Sequence, residues 1–215
     1  DADLQEAMGG TARIQAASPD GRRLYTLYTL PGPEDGEDYA FIHVLSLDEL
    51  WAHCIDLPAG FATSAESATA LTVSPDGRRL YVANGATRTL AEIDTEALEV
   101  ARTSTLDLGS GGIVHGAHDP DSTLYLARGR RVVAVDASGL TQRRAWVMPE
   151  KVRGLQVTPD ARRLYVGLRQ QVAVLDTVTG DRLEMIDPPG VRWIDQFGPV
   201  TRSVDPGRTE ITCAC

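Results

Sequence analysis

The chain has 215 residues, 42% of them hydrophobic, and 21 basic against 30 acidic side chains leave a net charge of −9. That content supports a packed core rather than wholesale disorder, and the acidic balance argues against nucleic acid or an anionic membrane surface as the main partner. No run approaches the ~18–20 apolar residues of a membrane span, no signal peptide is evident, and we read the start at Asp1 rather than Met as a sign of upstream processing or excision.

Taken in chain order, four segments line up. They are Ser18-Pro19-Asp20-Gly21-Arg22-Arg23-Leu24-Tyr25, then Ser74-Pro75-Asp76-Gly77-Arg78-Arg79-Leu80-Tyr81. Asp119-Pro120-Asp121-Ser122-Thr123-Leu124-Tyr125 follows, one residue shorter, and then Thr158-Pro159-Asp160-Ala161-Arg162-Arg163-Leu164-Tyr165. The four prolines are 56, 45 and 39 residues apart. A spacing near 40 with short strands predicts propeller blades. Each segment reads as strand, tight turn, strand: Pro presets φ, Asp bonds the local backbone, and Gly accepts positive φ. In the second unit Leu71 and Val73 end the first strand, Leu80–Ala83 form the second, Leu90–Ile93 the third and Val100–Leu106 the fourth. The fourth unit repeats the order with Leu155–Val157, Tyr165–Leu168, Val172–Thr177 and Arg182–Ile186. The period is two throughout, which excludes helices.

The predicted class is therefore all-β, a β-propeller of four-stranded antiparallel blades in one domain, 1–215. Blades are expected at about 12–57, 68–107, 112–148 and 152–187, with a partial fifth over 190–215 in which Trp193–Phe197 is a candidate inner strand.

The Ser-Pro-Asp-Gly turns, with Tyr81-Val82-Ala83-Asn84 and Ile93-Asp94-Thr95, resemble the YVTN-type β-propeller repeat over roughly residues 12–187. The resemblance implies a seven-bladed ring, a lactonase-like enzyme or an exported surface protein, and a secreted, periplasmic or cell-surface location. Seven blades at this period need on the order of 300 residues. A small ring, a fragment of a longer protein and a ring completed by a second chain are the three ways to avoid exposed blade faces.

In a four-stranded meander the Pro-Asp corners lie at one end, and the second-to-third loops and inter-blade linkers at the other. The variable end is where binding is expected. Blade one departs most, with the acidic, turn-rich stretch Leu30 to Tyr39. Glu34, Asp35, Glu37, Asp38 and Tyr39 are candidate contacts for a cationic partner, or else part of a solvated insertion. A calcium reading lacks the twelve-residue pattern of an EF-hand. Phe61, in a Gly/Ala/Ser/Thr linker, reads either as an exposed anchor or as a ring folded onto blade edges. The first positions of the inner strands carry Arg13, Glu66, His115, Arg153 and Arg192, with Trp193 beside them. These converge on a small anionic ligand in the channel, or form salt bridges around a solvated pore.

His115 and His118 are three apart on a strand, so they point to opposite faces and make a poor metal pair. Cys213 and Cys215 lack two further ligands for a soft metal, and Cys54 reads as an apolar filler on an outer strand. With three cysteines no disulfide framework is expected. No nucleophile elbow, phosphate loop or haem motif is present. Asp94, Asp136 and Asp176 recur at one blade position, which points to strand-end hydrogen bonding. No cofactor and no metal is expected. The leading expectation is a non-enzymatic scaffold for a protein partner or another propeller segment. A lactonase-like hydrolase with its site in the channel near Glu66, His115 and Arg153 is the alternative.

Overall fold

The computed structural model describes residues 5–7, 9–32, 38–62, 68–189 and 212–214. Among the described residues, eighteen strands follow in chain order. Blade one is β2 (Thr11–Ala17), β3 (Arg23–Leu30), β4 (Tyr39–Ser46) and β5 (Ala52–Asp56). Blade two is β6 (Thr69–Val73), β7 (Arg79–Asn84), β8 (Thr89–Asp94) and β9 (Glu99–Thr105). Blade three is β10 (Val114–His118), β11 (Thr123–Arg128), β12 (Arg131–Asp136) and β13 (Thr141–Val147). Blade four is β14 (Gly154–Val157), β15 (Arg163–Gly167), β16 (Val172–Asp176) and β17 (Arg182–Ile186). Each blade is an antiparallel sheet whose strands neighbour one another in sequence order. A separate two-stranded sheet pairs β1 (Gln5–Ala7) with β18 (Thr212–Ala214), with Glu6 opposite Cys213. The rest of the expected partial blade, 190–211, lies outside the described residues.

The first turn of each blade closes on its own chemistry. In blade two Ser74 Oγ donates to Asp76 Oδ1 at 2.6 Å and accepts from the Arg79 N–H at 3.0 Å, while Asp76 Oδ1 also accepts from the Arg78 N–H at 3.1 Å. Ser18 and Asp20 repeat this in blade one, and Thr158 and Asp160 in blade four. Gly77 sits at φ 74° there, the left-handed region that glycine enters without a Cβ penalty. The shortened third turn substitutes one carboxylate for the pair: Asp119 Oδ1 accepts from the Thr123 N–H at 2.8 Å, and Asp119 Oδ2 accepts from the Tyr125 hydroxyl at 3.2 Å.

The Asp at the end of the third strand in blades two, three and four caps the next turn. Asp94 Oδ1 accepts from the Glu96 and Ala97 N–H groups, and Asp176 Oδ1 from those of Val178 and Thr179. The following threonine ties that turn to the first one: Thr95 Oγ1 donates to Gly77 O at 2.7 Å and Thr177 Oγ1 to Ala161 O at 2.5 Å. The recurring Asp-Thr is thus a hydrogen-bonding device, as its repetition suggested.

Because side chains alternate across each strand, every blade has two faces, and the core lies between blades. One cluster joins Tyr25, Leu27, Ile42 and Val44 of blade one to Leu80, Val82 and Ile93 of blade two. A second joins Tyr81 and Leu90 to Leu124, Leu126 and Val135, and a third joins Tyr125 and Val132 to Leu164 and Leu175. Most of these side chains are fully buried, at roughly 1.5–3 kcal/mol each. The inner strands β6 and β10 approach so closely that a Cβ at Gly116 would clash with Thr72 Oγ1. Glycine is required there for the blades to meet.

Candidate functional site

The end opposite the Pro-Asp corners carries the second-to-third hairpins. In blade one β3 and β4 are eight residues each, against six in β7 and β8. Part of the extra sequence therefore lengthens the strands, with Leu30 opposite Tyr39 as the last pair. Asp38 Oδ1 accepts from the Gly32 N–H at 3.2 Å and draws the two arms together beyond that pair. Tyr39 is 56% exposed. Glu34, Asp35 and Glu37 lie outside the described residues.

Phe61 takes the second of its two expected places, folded onto blade edges, and the exposed-anchor reading is corrected. It is 1% exposed, packed in the core between blades one and two, and its carbonyl accepts from Asn84 Nδ2 at 3.2 Å. A ring with that much apolar area lowers the free energy more by folding onto the blade edges than by standing in water. It is not a contact for a partner.

Of the channel candidates, Glu66, Arg192 and Trp193 lie outside the described residues. Arg13 is the extra residue of a β-bulge in β2: Ala12 pairs with Tyr28 and Ile14 with Leu27. A bulge re-aims the side chain it carries, and here Arg13 Nε donates to Thr29 Oγ1 at 2.7 Å. His115 lies within electrostatic reach of Arg153. Burial, chiefly, holds the His115 imidazole well below its ordinary range, at about 4; the Arg153 charge acts the same way, against a hydrogen bond with the Val152 backbone. His115 is thus a neutral ring between blades three and four. His118 faces blade two, stacked on Tyr81 with ring centroids 5.2 Å apart, and its Nδ1 donates to Asp119 O at 2.6 Å. The two histidines point to opposite faces of their sheet, as strand alternation requires.

The sequence did not single out two other features. Glu92 is 3% exposed and receives Arg79 Nε at 3.2 Å and Arg102 Nη2 at 2.6 Å. Its counterparts in blades one, three and four are Val44, Ala134 and Val174. A charge at a place that is apolar in the other repeats was the available signal. At the corner end, a groove of about 370 Å³ opens between blades one and two, lined by both Pro-Asp corners with Arg23, Asp48 and Thr95. Its walls are polar. Hydrogen bonds from Ser18 and Ser74, first of all, hold the Asp20 and Asp76 carboxyls below the usual range. Among the described residues no group of three or more His, Cys, Asp or Glu is placed to hold a metal ion, and no helix is long and apolar enough to cross a membrane.

Cys54, in no disulfide, lies on β5, half-buried beside Ala12, Tyr28 and Phe41. Cys213 lies on β18.

No family model matches the sequence, and no curated protein matches it. Solved structures do. Hydrazine synthase of Kuenenia stuttgartiensis superposes with a TM-score of 0.60 at 17% identity, over 80% of this chain and 47% of that one. The RRP9 WD40 repeats give 0.59 at 14%, over 83% and 52%. A chain of the mitotic checkpoint complex gives 0.61 at 16%, over 81% and 50%. The fold is a β-propeller. Identities this low speak to the fold alone, and the chain spans about half the length of the propellers it matches.

Proposed function

We propose that this chain is a propeller scaffold that takes a protein partner at the end opposite its Pro-Asp corners, with the second-to-third hairpin of blade one as the contact element. The observation that carries the reading is the reach of that hairpin. Its strands run two residues longer than those of blade two and end on an exposed tyrosine beside an exposed carboxylate. Tyrosine supplies contact area with a polar tip at small entropic cost, which suits it to interfaces, and the net charge of −9 favours a partner with a basic surface.

The turn and strand-end signatures support a place among YVTN-type repeats, and with it a site of action outside the cytoplasm. Cell fractionation checks the location, and recovery in the cytosol alone would remove it. The functional reading is checked by co-purification, comparing the parent with a chain in which residues 31–38 are replaced by Asn-Gly and with Tyr39→Ala. The expected outcome is loss of the same partner from both variants. A partner retained by the shortened hairpin sinks the proposal.

A further inference from the structure

The two ends of the molecule differ in charge. At the corner end the third-to-fourth turns, 46–51, 94–99, 136–141 and 176–181, hold eight acidic residues and no basic one. The other end reverses the balance. There the second-to-third hairpin tips and the linkers of blades two to four, 84–89, 106–113, 128–131, 148–153 and 168–171, hold seven basic residues and two acidic ones, Asp107 and Glu150. Blade one does not share this excess, since its hairpin carries Glu34, Asp35, Glu37 and Asp38.

Three of the basic side chains are oriented by neutral partners. Arg128 donates through Nη1 to Gly85 O and, at 3.3 Å, to Gly109 O. Arg130 Nε donates to Met148 O at 2.8 Å, and Arg131 Nε to Asp107 O at 3.2 Å. A carbonyl fixes a guanidinium in place without cancelling its charge. Arg88 makes a loose ion pair, with Nε 4.0 Å from Asp107 Oδ1 and both side chains more than half exposed. Arg130 and Lys151 are exposed as well. Between the hairpins of blades two and three, Gly109-Ser110-Gly111-Gly112 belongs to the linker that joins β9 to β10. Leu106 and Leu108 anchor that linker in the core. Gly111 and Gly112 are exposed, and their N–H groups meet no acceptor among the described residues. Backbone donors with no side chain in front of them, set beside guanidinium groups, suit an oxyanion.

We infer that this end of blades two to four binds an acidic segment of a partner protein, whose carboxylates meet Arg88, Arg130, Arg131, Lys151 and the N–H groups of Gly111 and Gly112. Charge complementarity selects the occupant. The range of the field selects its size. Charges are screened beyond about 8–10 Å at physiological salt, so a short acidic run feels the local excess. A long nucleic acid or an anionic membrane also meets the net charge of −9. The inference concerns other blades and the opposite charge from the hairpin reading, so either can fail alone.

The test uses the whole chain and a labelled octa-glutamate peptide, followed by fluorescence anisotropy in low salt and in about 150 mM salt. Saturable binding that salt weakens is expected. Arg88→Glu with Arg130→Glu should weaken it about tenfold or more. Arg78→Glu with Arg162→Glu removes as much positive charge at the corner end and should leave affinity within about twofold. Arg88→Gln, at a side chain 66% exposed, should melt as the parent does and bind about threefold more weakly, which keeps the test open if the double variant unfolds. Replacing residues 31–38 by Asn-Gly removes the hairpin contact and should leave octa-glutamate bound. No saturable binding up to about 1 mM, equal affinity of the parent and Arg88→Gln, or an equal loss in both double variants overturns the inference. So does loss of binding with the shortened hairpin, or tighter binding of a single-stranded DNA of the same charge, since the face would then belong to nucleic acid.

Discussion

Ser122 occupies the place of Gly77 in the shortened third turn and is held at φ 65° with its side chain in solvent. A non-glycine residue in that region carries about 1 kcal/mol of strain. Ser122→Gly should therefore stabilise the fold by about that amount and raise the melting temperature by roughly 2–4 °C. An unchanged melting curve would show that the turn relaxes some other way. Asp119 is the opposite case. Its carboxylate is 2% exposed and satisfies both the Thr123 amide and the buried Tyr125 hydroxyl. Asp119→Ala leaves both donors without an acceptor and should cost about 2 kcal/mol or more, read as a lower midpoint in urea. Tyr125→Phe with Asp119→Ser, which keeps the amide cap, should recover part of that loss.

At the scale of the blade, Glu92 links one sheet to the next. It holds Arg102, and Arg102 in turn clasps the carbonyls of Ala137 and Ser138. Glu92→Ala leaves Arg102 without its carboxylate and Arg79 with Asp94 alone; with the two guanidinium groups 43% and 39% exposed, it should cost about 1 kcal/mol. Replacing the pair together, Glu92→Val with Arg102→Met, should cost less than Glu92→Ala alone, because an apolar side chain already fills this place in the other three blades. If the double variant is the less stable of the two, the charge network contributes more than its desolvation cost. How legible such elements are depends on how local their causes are. The corners could be read because Ser74, Asp76 and Gly77 bond within six residues, and the opposed histidines because the period of a strand is two. The burial of Phe61 was legible only as one of two readings, since a Gly/Ala/Ser/Thr linker gives no sign of which blade edge it will cover. The bulge at Arg13 was equally silent: nothing nearby in sequence distinguishes an extra residue from a paired one. Glu92 was hidden among 30 acidic residues until the strands were aligned blade to blade.

Across the whole molecule the inter-blade packing has a consequence for pH. Burial, above all, holds the imidazoles of His43, His115 and His118 below their ordinary value of 6.5, His115 to about 4. The unfolded chain takes up protons near pH 6.5 that the folded chain refuses. Stability therefore falls as pH drops from about 6.5 toward 4. A second loss follows at lower pH, and its cause is local. Hydrogen bonds from Ser and Thr side chains and turn amides hold Asp20, Asp76, Asp94, Asp160 and Asp176 below 3.8, and Ser138 with Arg143 brings Asp136 to about 2. The stabilisation from these carboxylates is present above the unfolded value and disappears as pH falls through the folded ones. Melting temperature against pH should thus decline in two stages, one above pH 4 and one below. His115→Gln cannot titrate, so it should make the upper stage shallower, His43 and His118 still contributing, and leave the lower one as it was. An upper stage of the same depth in that variant would mean that His115 is protonated in the folded state, and that the interface between blades three and four admits the charge.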